Sequence, residues 1–347
     1  MQFGSSKVVA WLAASAALLV ALAVGVAPAD AASEQADTAQ ERRERVLAYW
    51  TPERVRNAIP RLPVVDGIPA HHRPDHAGGP GGGDDGDGDS GGDVTGAPWN
   101  DTSEKGMVGE TTGKVLLTMD GTDYVCSGST VASPAGDSVV LTAGHCVHDG
   151  DNEERSWATN WMFIPAYEDG GSFSSCADTT YGCWTAEILT TTTAWYKTGD
   201  FADDAGFANM APGGKQESSA LNVVDEIGSQ AITFDHAVAA ATIYAFGYPA
   251  AQKYNGRDLI YCAGSAVDGV IAGTAGLDCD MTGGSSGGPW YASFDETSAT
   301  GTAVSVNSHI FRSIKDRMFG PVFDSDEQAA YELAYNDGTG SGAQSSP

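Results

Sequence analysis

Val139-Val140-Leu141-Thr142-Ala143-Gly144-His145-Cys146 is the stretch from which the fold is read. A short β-branched, apolar run leads into small residues, and a histidine and a cysteine follow at once. Its surroundings repeat the theme. Val115-Leu116-Leu117-Thr118 is β-rich, Asp120-Gly121 signals a hairpin turn, and Tyr124-Val125-Cys126 resumes the strand pattern. Ser133-Pro134-Ala135-Gly136 marks the next turn. Further strand candidates lie at 161–164, 243–246, 259–262 and 303–306, each bounded by turn residues. Helical signals are few: Thr51-Pro52-Glu53 as a helix start, and residues 326–334 near the end. Many short strands with regular turns predict an all-β barrel or sandwich.

The chain has 347 residues, 41% of them hydrophobic, enough for one or two domains with a sizeable core. Its formal net charge of -28 argues against a nucleic-acid partner, which needs clustered Lys and Arg. At the N-terminus, Lys7 precedes an almost unbroken apolar run over 8–26, and Ala29-Asp30-Ala31 offers small residues for cleavage. Residues 1–31 are therefore expected to be a secretory signal peptide, leaving no membrane anchor once removed. Residues 32–77 are polar and too few for a core of their own, and read as a pro-segment or N-terminal extension. The Gly/Asp-rich run 78–96 cannot bury apolar surface and is expected to be a disordered linker. Its aspartates lack the glutamate that a calcium loop of the EF-hand type places at its twelfth position. Residues 97–340 remain as the folded domain.

Six cysteines, Cys126, Cys146, Cys176, Cys183, Cys262 and Cys279, suit an oxidising compartment and three disulfides. Spacing alone does not fix the pairing. Nearest neighbours are the simplest choice: 126 with 146, 176 with 183, 262 with 279. No Cys-x-x-Cys pair occurs, and no metal is expected.

The chemistry concentrates in two stretches. In Gly283-Gly284-Ser285-Ser286-Gly287-Gly288-Pro289, glycines on both sides of a serine permit tight turns and close approach of a substrate. The N–H groups of Gly284 and Ser286 are placed to stabilise an oxyanion. His145 follows a strand, and a Cys146–Cys126 link would hold its ring in place, as a general base requires.

These motifs resemble those of the chymotrypsin/trypsin superfamily: Thr142-Ala143-Gly144-His145-Cys146, Gly284-Ser285-Ser286-Gly287-Gly288-Pro289, and the Cys126-Ser127-Gly128-Ser129 strand. More narrowly, Tyr49-Trp50-Thr51-Pro52, Cys126-Ser127-Gly128 and Met281-Thr282-Gly283-Gly284-Ser285-Ser286 resemble secreted actinobacterial trypsin-like peptidases related to glutamyl endopeptidases. The resemblance spans about residues 110–325. It implies two six-stranded antiparallel β-barrels with the active site between them, and a secreted, monomeric, cofactor-free serine endopeptidase acting on peptides or proteins. It also implies the order His, Asp, Ser. Asp204-Ala205-Gly206-Phe207 matches the pattern for the acid, with Asp203 and Asp200 as neighbouring competitors. Asp204 would orient His145, His145 would take the Ser286 proton, and Ser286 would form the acyl-enzyme. The alternative is a peptidase-like module that binds peptides or a cell-surface partner without cleaving them.

Two departures from the superfamily pattern matter. Ser285 stands where the animal enzymes carry the Asp that pairs with a newly freed N-terminus, so activation must take another route. Cys279 also lies farther from the serine than in those enzymes, which shifts the pocket wall. Asp280, six residues before Ser286, is a pocket candidate for binding Arg or Lys. Ser308 and His309 are the other pocket candidates, His309 as the holder of an acidic side chain. His148 and His236 are expected to be structural or on the surface.

Overall fold

The computed structural model describes residues 38–67, 96–99, 106–167, 173–216 and 219–336, together with the backbone of 343–345. The expected signal peptide and nearly all of the Gly/Asp-rich run lie outside the described residues.

Helix α1 (Ala39–Tyr49) starts from a capping box: Thr38 accepts the Glu41 N–H, and Glu41 reaches back to the Thr38 N–H. Helix α2 (Pro52–Asn57) begins where Thr51-Pro52 signals it. Two short extended segments follow, β1 (Ile59–Pro60) and β2 (Val64–Val65), and then β3 (Ala97–Pro98). Helix α3 (Gly106–Thr111) leads into the first large unit.

That unit is a closed barrel of six antiparallel strands: β4 (Thr112–Met119), β5 (Thr122–Val131), β6 (Val139–Thr142), β7 (Thr159–Pro165), β8 (Trp184–Thr191) and β9 (Gly206–Met210). The ladder runs β5-β4-β7-β8-β9-β6 and closes because β6 pairs with β5 as well as β9. Closure gives each of these strands a neighbour on both sides. Asp120 and Gly121 both take positive φ (48° and 78°), which gives the turn its hairpin twist. On the barrel strands, Leu116, Leu141, Trp161, Phe163, Trp184 and Phe207 are fully or almost fully buried.

The downstream half contains β10 (Ala231–Ile232), β11 (Thr242–Gly247), β12 (Ile260–Ser265), β13 (Val267–Asp268), β14 (Thr274–Asp278), β15 (Pro289–Asp295), β16 (Thr300–Val306), β17 (Ile310–Phe311) and β18 (Arg317–Pro321). Here the strands expected to make a second six-stranded barrel are divided between two sheets. One sheet has the order β10-β16-β15-β11-β12-β3 and another β13-β14-β18, without one continuous closed ladder. The chain leaves the first sheet at Ser265 and joins the second at Val267. Ile243, Leu277, Trp290, Val304 and Met318 fill the core between them.

Three disulfides join the cysteines nearest in sequence: Cys126–Cys146, Cys176–Cys183 and Cys262–Cys279. The first closes a separation of 20 residues, worth roughly 3 kcal/mol through the entropy of the unfolded chain. The N-terminal segment has no core of its own, as its length predicts, but it docks on the barrel. Trp50, Val55 and Ala58 are buried there, and the Trp50 indole donates to the Asn160 carbonyl at 2.6 Å.

Helix α4 (Ser325–Tyr335) supplies a pH-dependent element. Its capping box uses Glu327, one of whose oxygens accepts the Asp324 N–H at 2.8 Å. The other oxygen is buried without a partner. Burial, with the nearby Asp324 and Asp203 charges, pushes the Glu327 carboxyl up from 4.5 to about 9. A group whose folded pKa is raised stabilises the fold fully below its unfolded value, and that contribution fades as pH climbs to the folded value. Thermal stability should therefore fall between pH 5 and pH 9. Glu327→Gln should flatten that slope, which melting curves across the range would read. An unchanged slope in the variant would refute the assignment.

Candidate active site

Strands β6 and β9 pair with Thr142 opposite Gly206, so the chain leaving β6 meets the chain entering β9. Leaving β6, it forms one 3-10 turn, Gly144–Cys146, which carries His145. Entering β9, it comes from a second such turn, Phe201–Asp203, and the next residue is Asp204. Two carboxylate oxygens then hold one histidine. Asp204 Oδ1 accepts the His145 backbone N–H at 2.7 Å, and Oδ2 lies 2.7 Å from the ring Nδ1. Both residues are buried. This close approach requires glycine at 144: a Cβ there would lie 2.7 Å from Trp195 and 2.9 Å from Asp204 Oδ1. The disulfide from Cys146 to β5 and the Trp161 indole on the Cys146 carbonyl (3.0 Å) fix the turn from the other side.

The competing acids stand elsewhere. Asp200 caps the 3-10 turn through the Ala202 N–H. Asp203 is half-buried, and burial followed by the charges of Asp200, Asp326 and Asp324 pushes its carboxyl up to about 6. His148 is a structural histidine, its ring bonded to the Glu153 carbonyl and the Gly150 N–H.

The serine turn is built from the other half. Gly284 and Gly287 take φ of 97° and 78°, a region that disfavours side chains. A Cβ on Gly287 would also lie 2.1 Å from Thr142 Oγ1, so the turn presses against the histidine strand. Asn307 braces it. Its amide nitrogen donates to the carbonyls of Ser285 (3.0 Å) and Phe246 (2.8 Å), and its oxygen accepts the Trp290 indole N–H. Ser127 on β5 ties the turn to the barrel: its N–H donates to the Ser286 carbonyl and its hydroxyl to the Gly284 carbonyl. The buried Ser285 hydroxyl donates to the Thr282 carbonyl.

Against the serine turn lies a stretch of the N-terminal segment. The carbonyl oxygen of Arg61 accepts the Gly284 N–H at 2.9 Å and the Ser286 hydroxyl at 2.8 Å. His145 Nε2 is buried without a hydrogen-bond partner. Residues on either side of Arg61 pair with the two walls: Ile59 and Pro60 parallel to β5, Val64 and Val65 parallel to β17. Pro60, Leu62 and Val64 line a cavity of about 430 Å³ that also includes Asp280, Thr282 and Ile310.

Of the pocket candidates, Asp280 is at this cavity, but its oxygens are engaged. They accept the Tyr254 hydroxyl (2.6 Å), the Gly96 N–H (2.8 Å) and the Lys253 ammonium. Burial opposes ionisation of Asp280, yet these hydrogen bonds outweigh it and hold the carboxyl below its ordinary value. The other two candidates are not among the residues lining this cavity; they sit behind Asp204. Ser308 donates its hydroxyl to Asp204 Oδ2 at 2.6 Å and lies 2.9 Å from His309 Nδ1. The serine proton goes to the carboxylate, so His309 donates from Nδ1. His309 is stacked on Phe319 and tilted against Phe201. Burial, only partly offset by Asp204, pushes its imidazole down to about 4, so it is neutral near pH 7. The physical reason is the backbone: the N–H groups of Ser308 and His309 both donate to the Phe319 carbonyl, which turns this stretch inward against β18.

Cys126, His145 and Cys146 cluster within 4.8 Å, but both sulfurs are consumed by the disulfide and neither is a thiolate for a metal. Sequence reasoning missed the roles of Asn307, Ser127 and Arg61. For Arg61 a signal existed: Pro60 and Pro63 each bias their preceding residue to extended backbone.

Two solved structures are similar along most of their own length. Protease Anisep from Arthrobacter nicotinovorans is 35% identical, with a TM-score of 0.56, over 65% of this chain and 95% of that one. The thermostable serine protease AL20 from an extremophilic microorganism is 35% identical, with a TM-score of 0.57, over 67% of this chain and 99% of that one. No protein-family model matches the chain, and no curated protein does.

Proposed function

The chain belongs to the serine proteases of chymotrypsin fold, and from that premise we propose that it is a secreted endopeptidase cleaving proteins or peptides with Ser286, His145 and Asp204. One observation carries the reading. Asp204 grips His145 by backbone and ring at once, which leaves Nε2 as the nitrogen free to act as base.

With a substrate carbonyl in place, His145 Nε2 takes the Ser286 proton as Oγ attacks the carbonyl carbon. Asp204 stabilises the imidazolium. The N–H groups of Gly284 and Ser286 receive the oxyanion. The Gly284 N–H already holds a carbonyl oxygen, that of Arg61, which supports this role. His145 then protonates the leaving amine, and water hydrolyses the acyl-enzyme by the same route in reverse. These residues supply nucleophile, base and acid between them.

A cationic substrate side chain reaching Asp280 would have to displace Lys253. Export rests on the N-terminal apolar run and the three disulfides. Among the described residues, no helix is long and apolar enough to cross a membrane. Prolonged exposure to a fluorophosphonate probe should phosphonylate Ser286 in the wild type, located by peptide mass, and leave Ser286→Ala unlabelled. A folded protein that stays unlabelled, with or without residues 38–67 attached, would point to a module that binds without cleaving.

A further inference from the structure

We propose that residues 59–66 are a built-in inhibitor, a strap that lies through the active-site cleft and disarms Ser286 by hydrogen bonding. This rests on the reading of Ser286 and His145 as nucleophile and base. The Arg61 carbonyl oxygen takes both the Gly284 N–H and the Ser286 hydroxyl proton. Catalysis needs that proton directed at His145 Nε2 and the Oγ lone pair directed at a carbonyl carbon. Here Oγ faces the carbonyl oxygen instead, and His145 Nε2 has no partner. The strap therefore occupies an oxyanion donor and takes the serine proton that His145 would otherwise receive.

The strap is seated along its whole length. The Arg61 N–H donates to the Val125 carbonyl at 3.0 Å. Its guanidinium pairs with Asp149 and lies 4.7 Å from the centre of the Tyr124 ring. Beyond it, the N–H groups of Ile310 and Arg312 donate to the carbonyls of Pro63 and Val65 at 3.1 Å. Leu62 and Val64 reach the cavity beside Asp280. Upstream, α1 and α2 anchor the strap to the barrel: Trp50 bonds Asn160, the Tyr49 hydroxyl bonds Asp123 at 2.7 Å, and the buried Arg43 bonds the Gln216 carbonyl at 3.0 Å. A cut in the 68–95 connection alone thus leaves the strap in place. This gives the chain latency although Ser285 offers no acid to a new N-terminus.

The test compares rates of fluorophosphonate labelling at Ser286 in the full chain, its intactness checked by mass. Arg61→Pro removes the N–H to Val125, the Asp149 pair and the Tyr124 contact together. It should label about tenfold faster than wild type, or more, since each lost contact weakens the closed state several-fold. Asp149→Ala, which loosens the same anchor from the barrel side, should act in the same direction by a smaller factor and serves if the proline variant does not fold. A synthetic peptide of residues 57–67 added in trans should slow labelling of the loosened variants, and a scrambled peptide should not. Equal rates in wild type and both variants would overturn the strap while leaving the peptidase reading intact. Failure to label any of the folded proteins would overturn both.

Discussion

Ser286→Ala, measured in the loosened Arg61→Pro background so that the cleft is open, should lower turnover of a peptide substrate by about a million-fold. His145→Ala should cost about as much, and the double variant little more. In the proposed mechanism the two side chains act in one step: without the base, Oγ would keep its proton, and without Oγ the base would have nothing to activate. The residual rate would come from the oxyanion donors and from substrate binding, which neither substitution touches. Folding should survive both changes, because Ser286 and His145 are held by their backbones as well as their side chains. The Ser286 carbonyl accepts the Ser127 N–H, and the His145 N–H reaches Asp204. Single losses below a hundredfold would exclude this pair as the catalytic unit.

Much of this site was legible because its signals are local. The histidine turn needs small residues at 143 and 144, and the serine turn needs glycines at 284 and 287; both requirements are written within a few positions of the residue they serve. The hairpin at Asp120-Gly121 and the disulfide pairing of nearest cysteines are local in the same way. What escaped was long-range or broke a periodic rule. Ser308 and His309, read as pocket candidates, follow the strand that ends at Val306, where the chain turns inward and carries Ser308 to Asp204. The strap pairs Ile59 with Tyr124 and Val64 with Ile310, partners far away in sequence that no pattern in 59–66 announces. Helix α1 is the opposite case. Thr38 and Glu41 form the spaced pair of a capping box, a local signal available in the sequence. Its apolar face is weak because it is completed by Trp50, just beyond the helix end, so periodicity alone did not find it.

Asp204→Asn should lower turnover by about ten-thousand-fold with the fold intact. The argument follows from the number of donors that Asp204 accepts. Its two oxygens face the His145 backbone N–H, the His145 ring Nδ1 and the Ser308 hydroxyl. An asparagine keeps one acceptor and presents an NH2 at the other position. If that NH2 faces Nδ1, the imidazole must carry its proton on Nε2, and the base nitrogen is lost. If the amide flips, the NH2 meets the His145 backbone N–H, and two buried donors oppose each other. Either arrangement also disfavours the imidazolium, which no longer has a carboxylate beside it. Two readouts separate this from a general loss of structure. Nitrogen NMR of the His145 ring should report the proton on Nε2 in the variant and on Nδ1 in the wild type, and turnover should recover partly above neutral pH if hydroxide substitutes for the base. Asp203→Asn is the matched control: that carboxyl lies one residue away but makes no contact with His145, so its loss should change turnover by less than about threefold. A collapse of activity in Asp203→Asn with Asp204→Asn near wild type would reverse the assignment of the acid.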